Sequence, residues 1–269
     1  MNTHSKYIAK IPDAAGLIDY TPEENSVWHD LFERQQQIIA NRGSSEFLHG
    51  VKLLDMSATR IPQIPEMNAV LKRCTGWQVE PVAALISNEL FFNLLANKKF
   101  PAATFIRRRE ELDYLQEPDI FHEFFGHCPM LTEQHYADFT QNYAIKTLEA
   151  APEDRPYLAR LYWFTVEFGL VQTLNGLRVY GGGILSSKEE TIYSIESPIP
   201  ARLPFGNGLD ALRTPYRIDI LQPVYYVLES YGDLFNIMNK DLFGLIHQAQ
   251  DLGDFEPRFE ASDTELYPC

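Results

Sequence analysis

In the stretch EPDIFHEFFGHCPML, residues 117–131, His122 and His127 enclose Glu123 and three apolar or small residues. Neutral imidazoles and carboxylates are ligands for divalent transition metals. Zinc peptidases use HExxH, which puts both rings on one helix face with the glutamate as general base. In HEFFGH the histidines are five apart, which on an α-helix turns the second about 140° away from the first. Gly126 and Pro129 are helix-ending signals. A helix that starts after Pro118 and stops near His127 would let the second imidazole swing back. Two interior histidines bonded to carbonyls would leave the same local pattern.

Glu167 separates these readings. It stands alone in LYWFTVEFGLVQ, with Trp163, Phe164, Leu170 and Val171 at helical spacing around it. An ionised carboxylate on such a face is costly without a cation beside it. Arg160 is one possible partner, and a protonated carboxyl is another solution. Two imidazoles and a carboxylate also form the facial set of non-haem Fe(II) oxygenases, which leaves coordination positions open for chemistry. The rings in FHEFFGH and YWFTVEFG would line a pocket suited to flat molecules.

The elements that must position these groups can be read from caps and periodicity. Thr21, Pro22 and Glu24 open a helix that runs to about Gly43, with Trp28, Leu31, Phe32, Gln35 and Ile39 on one face. Further helices are expected over Pro65–Cys74, over SNELFFNLLANKK after Ser87, after a Thr132 cap, and over PYLARLYWFTVEFGLVQTL up to Asn175-Gly176. A last one is expected near GDLFNIMNKDLFGLIHQ. WQVEPVA, FPAATFI, LRVYGGGILSS, TIYSIES and YRIDIL read as short strands. The expectation is a mainly α fold with small β-sheets, in which residues 1–20 form an extended arm and 21–269 one catalytic domain.

The 269 residues carry 37 acidic and 23 basic side chains, a net charge of -14. That balance opposes nucleic acid or an anionic membrane as partner. The three cysteines suit a reducing compartment, and no long apolar run marks a membrane span or leader, so a cytoplasmic location is expected. The run Gly181-Gly182-Gly183 lacks the Lys and Ser/Thr of a phosphate loop and reads as a tight turn letting backbone approach the site.

EPDIFHEFFGHCPML, LYWFTVEFGL, YGGGILSS and LQPVYYVLESY occur in the order and spacing of the pterin-dependent aromatic amino acid hydroxylases, and the chain resembles that family from about Val27 to Tyr231. The resemblance implies a mainly helical catalytic domain using non-haem Fe(II), tetrahydrobiopterin and O₂. It makes His122, His127 and Glu167 the iron ligands. It also implies that Arg107 grips the substrate carboxylate, that Ser186 lies near substrate and the first histidine, and that Pro118, Trp163 and Phe168 line the ring pocket. Phe91 matches the residue that stacks on the pterin, with Ile86, Glu123 and Tyr162 around it.

Ile218 matches a position where an apolar residue accompanies phenylalanine use and an acidic one tyrosine use. The expectation is therefore a phenylalanine 4-monooxygenase forming L-tyrosine, like the short bacterial members of the family. Tyrosine or tryptophan hydroxylation is the near alternative, and a zinc metallopeptidase or a non-catalytic binding protein the distant one. Many relatives read Tyr-Thr-Pro-Glu-Pro-Asp where this chain has Tyr114-Leu115-Gln116-Glu117-Pro118-Asp119, so a threonine contact to substrate is lost. No regulatory domain or C-terminal heptad helix is read in the sequence, which points to a monomer or small homo-oligomer without allosteric activation, with small-molecule substrates as its partners.

Overall fold

The computed structural model describes residues 5–115 and 117–260. Gln116 and Cys269 lie outside them. Helix α1, Pro22–Ile39, begins with a capping box in which Glu24 N–H donates to Thr21 Oγ1 (3.2 Å) and Thr21 N–H to Glu24 Oε2 (2.7 Å). It ends before Gly43, and a helix the sequence reading left out, α2 at Ser45–Leu53, starts from a Ser44 cap. On α1 the buried Gln35 donates to Leu185 O (2.7 Å) and Thr191 Oγ1 (2.9 Å), tying this helix to the backbone beneath the site. Helix α3 covers Ile64–Cys74.

Strands β1 (Gln78–Val82) and β2 (Lys99–Ala103) pair in parallel from Gln78↔Lys99 to Val82↔Ala103, with α4 (Asn88–Ala96) crossing between them from its Ser87 cap. Helix α5, Gln134–Glu149, is capped by Glu133, not Thr132, because the longer carboxylate reaches Tyr136 N–H (2.7 Å).

The helix expected over residues 156–174 is three pieces. Helix α6 (Arg155–Tyr162) widens into a π-turn at Trp163–Glu167 and then gives way to β3, Leu170–Thr173. Leu170 and Val171 are short, apolar and buried, and such a run fits a sheet interior as well as a helix. β3 pairs antiparallel with β4 (Gly176–Val179) and parallel with β6 (Val224–Leu228), which pairs parallel with β5 (Ala201–Pro204); the order is β4-β3-β6-β5.

Three strand expectations are corrected. Only Gly176–Val179 of the LRVYGGGILSS region is a strand, followed by α7, Gly182–Leu185. All of TIYSIES but its last residue lies in helix α8, Lys188–Glu196, because Ser187 accepts from Glu190 N–H (3.2 Å) and the Glu189-Glu190 pair favours a helix N-terminus. YRIDIL is irregular, and the strand falls just after it, in β6. Helix α9 spans Leu209–Arg213, and the last expected helix is broken at Lys240-Asp241 into α10 (Gly232–Asn239) and α11 (Leu242–Leu252).

One apolar cluster runs from Ile18 to Ala249. Within it Phe121 and Phe125 stack at 4.9 Å, with Trp28 edge-on to Phe121 and Phe32 edge-on to Phe125 at 5.4 Å each. These rings brace the back of the segment that carries both histidines. The arm contains no helix or strand over residues 5–20; it is fastened by Tyr7 stacking on Phe105 (4.3 Å) and donating to Glu111 Oε1 (2.5 Å). No helix among the described residues is long and apolar enough to cross a membrane.

Candidate functional site

The five-residue spacing of the histidines is explained by a second π-turn, His122–His127. Its wider turn brings residues five apart round to the same side, and such turns concentrate at functional sites. The segment stops at His127, as expected, but Gly126 acts through contact: a Cβ there would stand 2.7 Å from Gly182 O. The glycine run lets the backbone approach the site, since a Cβ on Gly182 would meet the His127 ring at 2.4 Å and one on Gly183 would meet Glu167 Oε2 at 3.0 Å.

His122 Nε2 and His127 Nε2 are 3.0 Å apart, and Glu167 directs one oxygen to each, at 3.8 and 3.3 Å. Ser186 Oγ–H donates to Gly182 O (2.9 Å), so its lone pair accepts Nδ1–H of His122 (2.9 Å). This fixes the tautomer that leaves His122 Nε2 bare. His127 Nδ1 is buried without a partner among the described residues. Burial opposes ionisation of Glu167, but the two imidazoles and the Gly183 amide beside it hold its carboxyl below the usual value. Burial and the neighbouring His127 push His122 down to about 4.

Glu123 also brings an oxygen within 4.8 Å of the histidine nitrogens, a second possible ligand. Burial and the Glu167 and Asp119 charges push its carboxyl well up, so Glu123 favours the neutral acid while Glu167 favours the anion. Arg160 does not serve Glu167; it pairs with Asp254 at 2.7 and 2.6 Å.

A cavity of about 530 Å³ opens onto this group, lined by Arg107, Pro118, His122, Trp163, Glu167, Phe168 and Ser186, with Leu115 and Ile218 at its wall. Trp163 stacks between Phe168 (4.4 Å) and Tyr216 (4.6 Å). Arg107 commits Nε and Nη2 to Asp119 at 2.9 Å each, leaving Nη1 without a partner among the described residues, in a side chain that lines the cavity. Burial opposes the Asp119 charge, but Arg107 beside it and the amides of Arg107 and His122 keep its carboxyl low.

Sequence reasoning missed Asp119, although a lone acid between Pro118 and Ile120-Phe121 was a visible signal. Phe91, Tyr162, Glu123 and Ile86 do not line this cavity. Phe91 meets Tyr162 edge-on at 6.0 Å, Glu123 is buried near Ala103, and Ile86 is half-buried just before the Ser87 cap.

Two nitrogens at right angles on one ion, each at about 2.1 Å, stand about 3.0 Å apart. The imidazole separation fits that arrangement, and Glu167 supplies the third donor on the same side. Fold and site together define a mainly helical protein with a two-histidine, one-carboxylate centre at the end of an aromatic cavity. The chain belongs to the biopterin-dependent aromatic amino acid hydroxylases, whose family model matches residues 2–247. It is accordingly an enzyme of that class.

It is 52% identical to a phenylalanine-4-hydroxylase of Vibrio cholerae over 261 residues, covering 97% of this chain and 90% of that protein. A solved phenylalanine hydroxylase from Legionella pneumophila matches with TM-score 0.92 and 55% identity, over 94% of this chain and 100% of that one. Another, from Chromobacterium violaceum with bound oxidised Fe(III), matches with TM-score 0.87 and 39% identity, over 94% of this chain and 92% of that one.

Proposed function

We propose that the enzyme is a phenylalanine 4-monooxygenase, converting L-phenylalanine to L-tyrosine with O₂ and tetrahydrobiopterin at a non-haem Fe(II) centre. The observation that carries this reading is the convergence of His122, His127 and Glu167 at the end of a cavity walled by stacked aromatic rings. His122, His127 and Glu167 hold the metal. Bound Fe(II), with the reduced pterin as electron donor, supplies the activation of O₂ needed for ring hydroxylation.

The chain's own residues do the rest. Arg107, oriented by Asp119, offers Nη1 to the substrate carboxylate. Pro118, Trp163 and Phe168 hold the ring, Ser186 fixes the His122 tautomer, and the apolar Ile218 leaves no partner for a phenolic hydroxyl. Phe91 stacks on the pterin, with Ile86, Glu123 and Tyr162 around it. Residues 21–269 act as one catalytic unit with residues 1–20 as its arm. Membership of the biopterin-dependent aromatic amino acid hydroxylase family sets the peptidase alternative aside.

The test is anaerobic loading with Fe(II) followed by assay with L-phenylalanine, tetrahydrobiopterin and O₂. Tyrosine should form, and tyrosine or tryptophan offered in competition should be poorer substrates. Stoichiometric bound iron with no tyrosine formed would refute the reading.

A further inference from the structure

Gln222 is 1% exposed, does not line the cavity, and has both polar atoms of its side-chain amide hydrogen-bonded. Its Oε1 accepts from the indole N–H of Trp163 (3.0 Å), and its Nε2 donates to Arg217 O (2.8 Å) and Ile220 O (2.9 Å). An indole N–H can only donate and two carbonyls can only accept, so the amide cannot be turned over. The peptide N–H of Gln222 donates to Glu190 Oε1 (3.0 Å), and the same oxygen accepts from the Tyr225 hydroxyl. One side chain thus joins the indole that lines the cavity to the 217–221 loop, which carries Ile218, Ile220 and Leu221 into the same lining.

We propose that Gln222 is a positioning residue that sets the width of the aromatic-ring pocket, by locking Trp163 and the Ile218 loop to one another. This rests on the reading above that Trp163 and Ile218 wall the substrate ring. A buried amide satisfied by three partners fixes each of them, because releasing one leaves an unpaired polar group in the interior. The indole and the loop are therefore both held by a residue that does not line the cavity, and substrate choice depends on it.

The discriminating variants are Gln222→Met, which keeps volume and removes every side-chain hydrogen bond, and Gln222→Glu, which keeps an acceptor for the indole and removes the amide donors to the loop. Indole ¹⁵N–¹H spectra of the full chain, with Trp163→Phe to assign the peak, read the contact directly. In Gln222→Met the Trp163 indole should shift and exchange its proton at least tenfold faster, and KM for phenylalanine should rise about tenfold. The preference for phenylalanine over tryptophan, as a ratio of kcat/KM, should fall at least fivefold.

Gln222→Glu should leave the indole peak nearly in place and still lower that ratio, which serves as the test should Gln222→Met not fold. An unmoved indole in Gln222→Met overturns the proposal. So does an unchanged preference in a variant whose indole has moved, since that marks a merely structural bond. The indole measurement is independent of the substrate, so a wild type inactive on phenylalanine would refute the functional reading alone.

Discussion

Glutamine at position 167 would keep the shape of the side chain and remove the anion that faces both Nε2 atoms. Glu167→Gln is expected to weaken Fe(II) binding more than about a hundredfold, beyond the 10–100-fold that loss of an outer hydrogen bond costs a metal site. Glu123→Gln should bind metal within about tenfold of wild type, because a neutral acid there is already the favoured form. Competition against a coloured chelator measures both, and equal losses would mean that the ligand carboxylate is misassigned. The histidines and Glu167 were legible because polar groups in apolar surroundings call for partners. Asp119 gave the same signal, a lone acid beside apolar residues, but nothing in the sequence named Arg107 as its partner, and Gln222 gave none, because a single Gln carries no sign of which donors and acceptors will surround it.

At the scale of elements, helix α7 presses its first residues on the centre. Gly182→Ala would drive a methyl to 2.4 Å from the His127 ring. Overpacking of this kind costs about 1–3 kcal/mol, so the melting temperature should fall by several degrees and metal affinity with it. Helix α8 contributes a pH dependence. Burial raises the Glu190 carboxyl to about 7, against its hydrogen bonds from Tyr225 and Gln222. A carboxyl raised on folding binds its proton more tightly in the native state, so its contribution is fully present below about 4.5 and is lost as pH rises through about 7. Relative to Glu190→Gln, wild type should lose on the order of 3 kcal/mol of stability over that window, read by denaturant titration at several pH values.

Capped helices were the readable elements: α1 and α4 begin where Thr21 and Ser87 say they should. Both π-turns escaped, since nothing in HEFFGH or WFTVE taken alone marks a widened turn, and both lie against α7, which is distant from each in sequence. In α8 the alternation of TIYSIES misled, and the Ser187 cap prevailed. Strand β6 escaped because VYYVL is apolar on both faces, as strands with parallel neighbours are, and shows no alternation.

At the scale of the whole molecule, the arm works at a distance from its own sequence position. Tyr7 lies on Phe105 and bonds Glu111, so the arm clamps the segment that carries Arg107 from outside, next to Leu115. Tyr7→Ala removes a stacked pair and a hydrogen bond, together about 1–3 kcal/mol. The expected result is a severalfold rise in KM for the amino acid with little change in KM for the pterin; a parallel rise in both would mean the arm acts on the fold as a whole.

The two histidines are unequally hidden, with the His127 side chain 2% exposed and that of His122 21%. The cavity proposed for the amino acid therefore gives an ion a route that meets His122 and Glu167 before His127. Traffic in metal and traffic in substrate share one corridor. A seated amino acid should plug it, so that phenylalanine slows the loss of iron to a chelator in stopped-flow mixing, and the stripping rate should level off as chelator concentration rises.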